Sequence, residues 1–425
     1  MLMSEYLAAE WKPALGCTEP AAVAWAAANA AGASEGPIEE VRLICDPRIY
    51  KNCYAVGLPN SEGKTGILWA LAIGASLTDR SLRLRSFDGV SPEMLARAQG
   101  LIERRAVHVE VDAQRTELFI DVRVKLAGGI GRAVIEREHE NLTQVAFYAQ
   151  GHAWSSQTPS ETAPRGVSVR ARLAGMSIKD AIDMAHSLTE EDRSVLRGGA
   201  RLNLEIARAG TSLLPEKVVN KPGAGVQERV VLQVSAGVTA RMSGVSQTVM
   251  TLAGSGNKGI TVTLPIWLWG LEHGHSGERV EEALALGCLI TSATTHHLGT
   301  LSAACGSAIA AGAGIAAGLV HLEGGGAPEV GLAVSNVVGT LAGMICDGAK
   351  VGCAMKTATG VEAAFRAASY AMAGEGIPAT NGIVGKDGET SLVYLGLVVT
   401  NGMANVDAEI LEIMQRKLSL ARPHG

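Results

Sequence analysis

The alternation of polar and apolar positions divides the chain into two textures. Between residues 36 and 150, β-branched residues and partial alternation predict strands at VRLICD (41–46), NCYAVGLP (52–59), AVHVEVDA (106–113), TELFIDVRVKL (116–126), GRAVIERE (131–138) and LTQVAFYAQG (142–151). GKTGILWALAIGAS (63–76) and SPEMLARAQGLIERR (91–105) read as helices between them. From about residue 169 to 425 the pattern is helical, as in IKDAIDMAHSLTEEDRSVLRGGARLNLEIARAG (178–210), HSGERVEEALALGCLITSATTHHLG (275–299) and VEAAFRAASYAMAG (361–374). Gly-rich connectors separate these segments: LAGSGNKGI, HLEGGGAPE, CDGAKVGC and TNGIVGKDGE. Residues 1–34 also read as helical, interrupted at Pro13. Thr18 is a candidate N-cap, Glu19 and Pro20 open the first turn, and Gly32 follows the last. The Ser/Thr/Pro-rich stretch 151–168 is the best linker. No internal repeat of fixed period is visible. The expected fold is α+β: a large, mainly helical, Ala/Gly-rich α-domain (169–425) with the 1–34 segment packed on it, plus a smaller inserted α/β module (36–150).

Composition sharpens this picture. Only 4% of the 425 residues are aromatic while 51 are Gly, so the core must use small residues and close helix packing. The net charge of −5 argues against a nucleic-acid surface and against a polybasic membrane patch. Residues 283–322 carry no Asp, Glu, Lys or Arg, a length able to cross a bilayer. The run is rich in Ala, Gly, Ser and Thr and contains three histidines, and no aromatic belt flanks it. A buried helix pair is the better reading. The N-terminus has Glu5 and Glu10 and no unbroken apolar stretch, so a cytoplasmic protein is expected, with its seven cysteines reduced.

Three cysteines stand in Gly/Ala-rich contexts: Cys305 in SAACGSA, and Cys346 and Cys353 in GMICDGAKVGCAMK. In an unbroken helix Cys346 and Cys353 would lie about 10.5 Å apart along the axis, too far for one compact cluster. Gly348 and Gly352 between them allow a turn that would bring the sulfurs together. Soft thiolates select zinc, copper(I) or iron–sulfur clusters. The competing reading is three buried cysteines acting as small hydrophobes, and spacing alone leaves both open.

Cys17 sits just before the helix start at Thr18, where exposed N–H groups and the helix dipole would stabilise a thiolate. GSGNKG (254–259) suits an anion-binding turn, or an ordinary tight loop. Lys258 within it is also a weak candidate for a Schiff base with pyridoxal phosphate. Lys51 and Asn52 stand at the edge of an apparent strand, where a plain polar strand end is the simpler reading. His296 and His297, with His273 and His275 upstream, fit no zinc spacing and read as satisfied histidines or a general acid. Cys45, Cys53 and Cys288 have no partner at useful spacing.

Taken in order, LGCTEPAAVA (15–24), IYKN with VGLP (49–52 and 56–59), GSGNKGI (254–260), LSAACGSAIAAGAGIAAG (301–318), GMICDGAKVGCAMK (343–356) and GMANVDAEILEIM (402–414) resemble the L-cysteine desulfidase, or serine dehydratase-like, family. The later part is similar to the α-domain of oxygen-sensitive iron–sulfur L-serine dehydratases. The resemblance covers essentially the whole chain. It implies a [4Fe–4S] cluster held by Cys305, Cys346 and Cys353, with Cys17 as proton acceptor. Cys45 and Cys53 depart from the family pattern.

With three protein ligands one iron stays open as a Lewis acid for a β-SH or β-OH leaving group. The expected reaction is α,β-elimination of L-cysteine to pyruvate, ammonia and hydrogen sulfide. Asn52, Asn257 and Lys258 are candidates for holding the substrate carboxylate. L-serine dehydration by the same route, a non-catalytic amino-acid sensor and a pyridoxal-phosphate lyase remain as alternatives. A homodimer is expected, with a small amino acid as the only other partner.

Overall fold

A computed structural model describes residues 1–33, 36–149, 155–157 and 168–421. The early part comprises α1 (Met3–Glu10), β1 (Trp11–Leu15), α2 (Thr18–Ala31), β2 (Ile38–Cys45), α3 (Pro47–Cys53), α4 (Ile67–Ser76), α5 (Pro92–Glu103), β3 (Val107–Val111), β4 (Phe119–Leu126), β5 (Gly129–Glu136), β6 (Leu142–Ala149) and β7 (Ser155–Gln157). Six of these strands form one sheet in the order β3-β2-β4-β5-β6-β7. β2 runs parallel to β3 and the other neighbours are antiparallel. α2 lies against β4 and β5, α4 lies against β2 and β3, and the two helices pack on each other. They approach so closely that a Cβ on Gly74 would stand 2.4 Å from the Cα of Ala24. That spacing requires the small residues read from the composition.

The later part runs α6 (Val169–Ala174), α7 (Ile178–His186), α8 (Glu190–Thr211), α9 (Glu216–Val219), α10 (Val226–Met242), β8 (Thr248–Leu252), α11 (Gly256–Glu272), α12 (Gly277–Leu298), α13 (Gly306–Leu322), α14 (Ala327–Leu341), α15 (Cys353–Met372), α16 (Gly388–Leu397) and α17 (Val406–Ala421). The molecule is thus α+β with a mainly helical domain, as expected. α13 is its axle, packed against α11, α12, α14 and α15 and buried from Ala308 to Leu322. A Cβ on Gly314 would meet Thr291 Oγ1 of α12 at 2.1 Å. The uncharged stretch 283–322 is therefore two helices and a loop buried by protein. Among the described residues no helix is long and apolar enough to cross a membrane.

Three local readings change. Trp11–Leu15 is a strand, paired antiparallel with β8, where Pro13 is tolerated because each strand has only one partner. NCYAVGLP is not a strand. Asp46 caps a helix over Pro47–Cys53, its carboxylate accepting from Arg48 N at 2.8 Å and Ile49 N at 3.1 Å. Residues 1–34 divide between two cores. Met3, Tyr6, Leu7 and Trp11 join the helical core, while Ala21–Ala28 join the core beneath the sheet. Cys17 falls at the seam. Of the expected linker, only Ser155–Gln157 and Ser168 are among the described residues.

Candidate active site

The three cysteines are gathered by a short antiparallel bridge. Ala304 pairs with Ile345, Cys305 N donates to Met344 O at 2.8 Å, and Cys346 N donates to Ala303 O at 2.7 Å. Cys305 and Cys346 thereby flank one bridge. After Cys346 the chain turns at Gly348, whose φ of +93° suits glycine, and Cys353 opens α15. A Cβ on Gly348 would lie 2.4 Å from the Lys51 carbonyl oxygen. The seven-residue spacing is thus spent in a turn, and Cys305, Cys346 and Cys353 line one cavity. All three are free thiols. Burial pushes Cys305 up to about 12, and the neighbouring Cys346 and Cys353 push in the same direction. Three soft donors converging on one cavity suit a thiolate-bound metal or cluster.

Cys17, Asn52, Asn257 and Lys258 line the same cavity, so the seven residues expected as cluster ligands, proton acceptor and carboxylate binders all meet there. Gly16, at φ +72°, swings the chain so that Cys17 caps α2. The expected low thiol pKa is not found in this setting. Burial pushes Cys17 up to about 12, outweighing the Arg241 guanidinium, which acts the other way. The first turn of α11 carries Lys258 to the cavity, its Nζ donating to Ala253 O at 3.0 Å. Burial, followed by the positive charge of Arg170, pushes Lys258 down to about 7. GSGNKG is a tight turn that becomes the first turn of α11, and the apolar ITVTLPI that follows is helical. Asn52 donates to Glu19 Oε1 at 3.0 Å.

Sequence reasoning missed Arg241. It lies on α10, is 3% exposed and lines the cavity. Its Nε donates to Gly16 O at 3.1 Å and its Nη1 to Asn257 Oδ1 at 2.9 Å. Its Nη2 is buried without a hydrogen-bond partner. No spacing in the sequence marks this arginine, which lies in the last turn of α10. Lys51 was singled out, but as a polar strand end. It is in fact 1% exposed, donating to Cys346 O at 2.7 Å and pairing with Asp407 of α17. Arg48 also holds Asp407, at 2.8 Å, and donates to Leu301 O at 2.9 Å. This network clamps the cysteine-bearing loops from outside. His273, His275, His296 and His297 do not line the cavity, and Cys45, Cys53 and Cys288 are buried in the two cores.

Residues 126–412 match the serine dehydratase alpha chain family, and the chain belongs to it. It is 36% identical over 439 residues to the UPF0597 protein of Desulfatibacillum aliphaticivorans, covering 98% of each chain. The UPF0597 proteins of Geobacter sulfurreducens and Porphyromonas gingivalis are 35% and 32% identical, each over 96% of its own length. Membership points to an amino-acid dehydratase or lyase.

Proposed function

We propose that the protein is a lyase that eliminates sulfide from L-cysteine, with Cys305, Cys346 and Cys353 holding a [4Fe–4S] cluster. The observation that carries the reading is the buried Arg241 guanidinium, with an unpartnered Nη2, in the same cavity as four free thiols. Glu19, the carboxylate on the cavity lining, accepts from Thr18 and Asn52 rather than from Arg241; the unpartnered N–H groups of a buried guanidinium are costly, so the cavity suits an anionic ligand. The carboxylate of a small amino acid supplies that anion, with Asn257 and Lys258 beside it. When bound, the cluster would supply a Lewis acid at the β-substituent.

The remaining steps belong to the protein. A base takes the α-proton, the Cβ–S bond breaks with its electron pair leaving on sulfur, and aminoacrylate results. Hydrolysis of aminoacrylate yields pyruvate and ammonia. Cys17 is the proposed acceptor of the α-proton. At a thiol pKa of about 12 it is protonated near neutrality, so it accepts only when a further charge lowers that value. A second reading rests on Lys258, which at about 7 is substantially a neutral amine under the same conditions. It assigns Lys258 as acceptor and Cys17 as donor to the leaving group. L-serine, with hydroxide leaving, fits the same arrangement.

Anaerobic purification with iron and sulfide analysis, followed by pyruvate assays on L-cysteine and L-serine, tests the proposal. About four irons and four sulfides per chain with sulfide release are expected; pyruvate from neither substrate in cluster-loaded protein overturns it. The same reading expects a cytoplasmic homodimer, checked by light scattering and cell fractionation.

A further inference from the structure

The far end of α13 carries a second group of ligand-type side chains. Cys305 caps the start of α13, and His321 lies near its end. Sixteen residues at 1.5 Å each separate them by about 24 Å along the axis. His321 faces Glu282, on the first turns of α12, and His186, the last residue of α7. One donor atom from each of the three lies within 4.8 Å of the others. His321 Nε2 stands 3.8 Å from Glu282 Oε2, and the two imidazole rings are 5.2 Å apart between centroids.

Two features separate this trio from a chance surface cluster. His321 is 2% exposed, and its Nε2 has no hydrogen-bond partner. A buried ring nitrogen left so costs free energy unless something fills the space beside it. The second feature is the preset carboxylate. Arg193 Nη2 donates to Glu282 Oε1 at 2.9 Å, which leaves Oε2 on the histidine side. Ligand carboxylates are commonly oriented in this way by an outer hydrogen bond. Arg279 is engaged with the main-chain oxygen of His321, and its guanidinium is not paired with Glu282.

We infer that His186, Glu282 and His321 form a binding site for a first-row divalent cation of the zinc class, separate from the cysteine cavity. Two imidazoles and a carboxylate are a recurrent donor set for such ions, with bonds near 2.0–2.2 Å. Tetrahedral bonds of that length put donors about 3.4 Å apart. A rotation of the exposed His186, with an approach of a few tenths of an ångström between His321 and Glu282, closes the difference. The fourth position is left to water, and the ion fastens α7 to the α12–α13 pair.

The test uses the full-length protein without a polyhistidine tag, stripped with a chelator. Cobalt(II) is titrated and followed by visible absorption, zinc by calorimetry, for the unaltered protein, His186→Ala and Glu282→Gln. The cysteines are common to all three, so the difference isolates this site. The unaltered protein is expected to bind one equivalent more than His186→Ala, with ligand-field bands but no added sulfur-to-cobalt charge transfer. Affinity for that equivalent falls more than roughly 100-fold in each variant, above the loss typical of an outer-shell change. Zinc raises the melting temperature of the unaltered protein more than that of the variants. His186 is exposed at a helix end, so its alanine variant folds, as circular dichroism verifies. Equal stoichiometry and an equal melting shift in the unaltered and His186→Ala proteins would overturn the site.

Discussion

Two Gly-rich loops carry lysines toward the same cavity, and their charges are treated in opposite ways. Around Cys346, Lys51 and Arg48 share Asp407, while Lys350 and Lys356 share Asp347. Around GSGNKG, neither Lys258 nor Arg241 has an ion-pair partner among the described residues, and both are buried. A paired buried charge fixes geometry; an unpaired one awaits a ligand. The first loop is held as a scaffold for the thiols, and the second is the one proposed to meet the substrate.

The largest effect should come from Lys258 on the second loop and from Cys17, which lines the same cavity. Lys258→Met and Cys17→Ser are each expected to lower kcat/KM by about 10²–10⁴-fold, with cluster absorbance retained. Their pH profiles tell the two readings apart: whichever residue is the acceptor, its removal abolishes the rising limb. Lys258 also leaves a mark on stability. Its folded pKa of about 7 lies below its ordinary 10.5, so above pH 7 the unfolded chain binds more protons than the folded one. Stability of the unaltered protein relative to Lys258→Met should therefore rise with pH from about 7 to 10.5, read by denaturant titration.

The first loop predicts a loss of stability instead. Lys51→Met strips Cys346 O of its donor and leaves Asp407 to Arg48 alone, at a cost of about 3–5 kcal/mol. Lys51→Met with Asp407→Leu should be less destabilised than the sum of the single changes. Arg241→Met sharpens the contrast. It should raise KM about 10²-fold, as expected for a lost charged anchor, while the two hydrogen bonds it gives up lower the unfolding free energy by only about 1–3 kcal/mol. A fall in stability as large as that of Lys51→Met would erase the distinction between the loops. Smallest is Gly348→Ala, where positive φ and the nearby Lys51 oxygen cost about 1–3 kcal/mol.

The parts legible in the sequence are those that local chemistry writes. Alternation marked most strands of the sheet, and Ala/Gly richness marked the close-packed helices. The cysteine loops stood out because glycines beside thiols are unusual. What stayed hidden depends on contacts distant in sequence. Trp11–Leu15 is a strand only because Thr248–Leu252 lies beside it, and its five residues carry no periodicity long enough to notice. The strand read over 52–59 is replaced at its start by the end of α3, because its β-branched and aromatic residues outweigh the helix-start signal of Asp46-Pro47. Arg241 and Asp407 could not be found at all, since their roles rest on which buried partners they have or lack. The raised pKa of Cys17 has the same origin: the helix start was readable, the desolvation around it was not.

The clamp on the cysteine loop also orders events during synthesis. Lys51 leaves the ribosome before its partner, and the carboxylate that neutralises it, Asp407, follows 356 residues later. Until α17 docks, a nascent chain must either leave that ammonium in water or bury it unpaired. The cysteine-bearing loop consequently reaches its final shape only after α17 has been made. A protein truncated before α17 should be soft at the thiol cavity while its sheet is already firm, and a protease would cut there first.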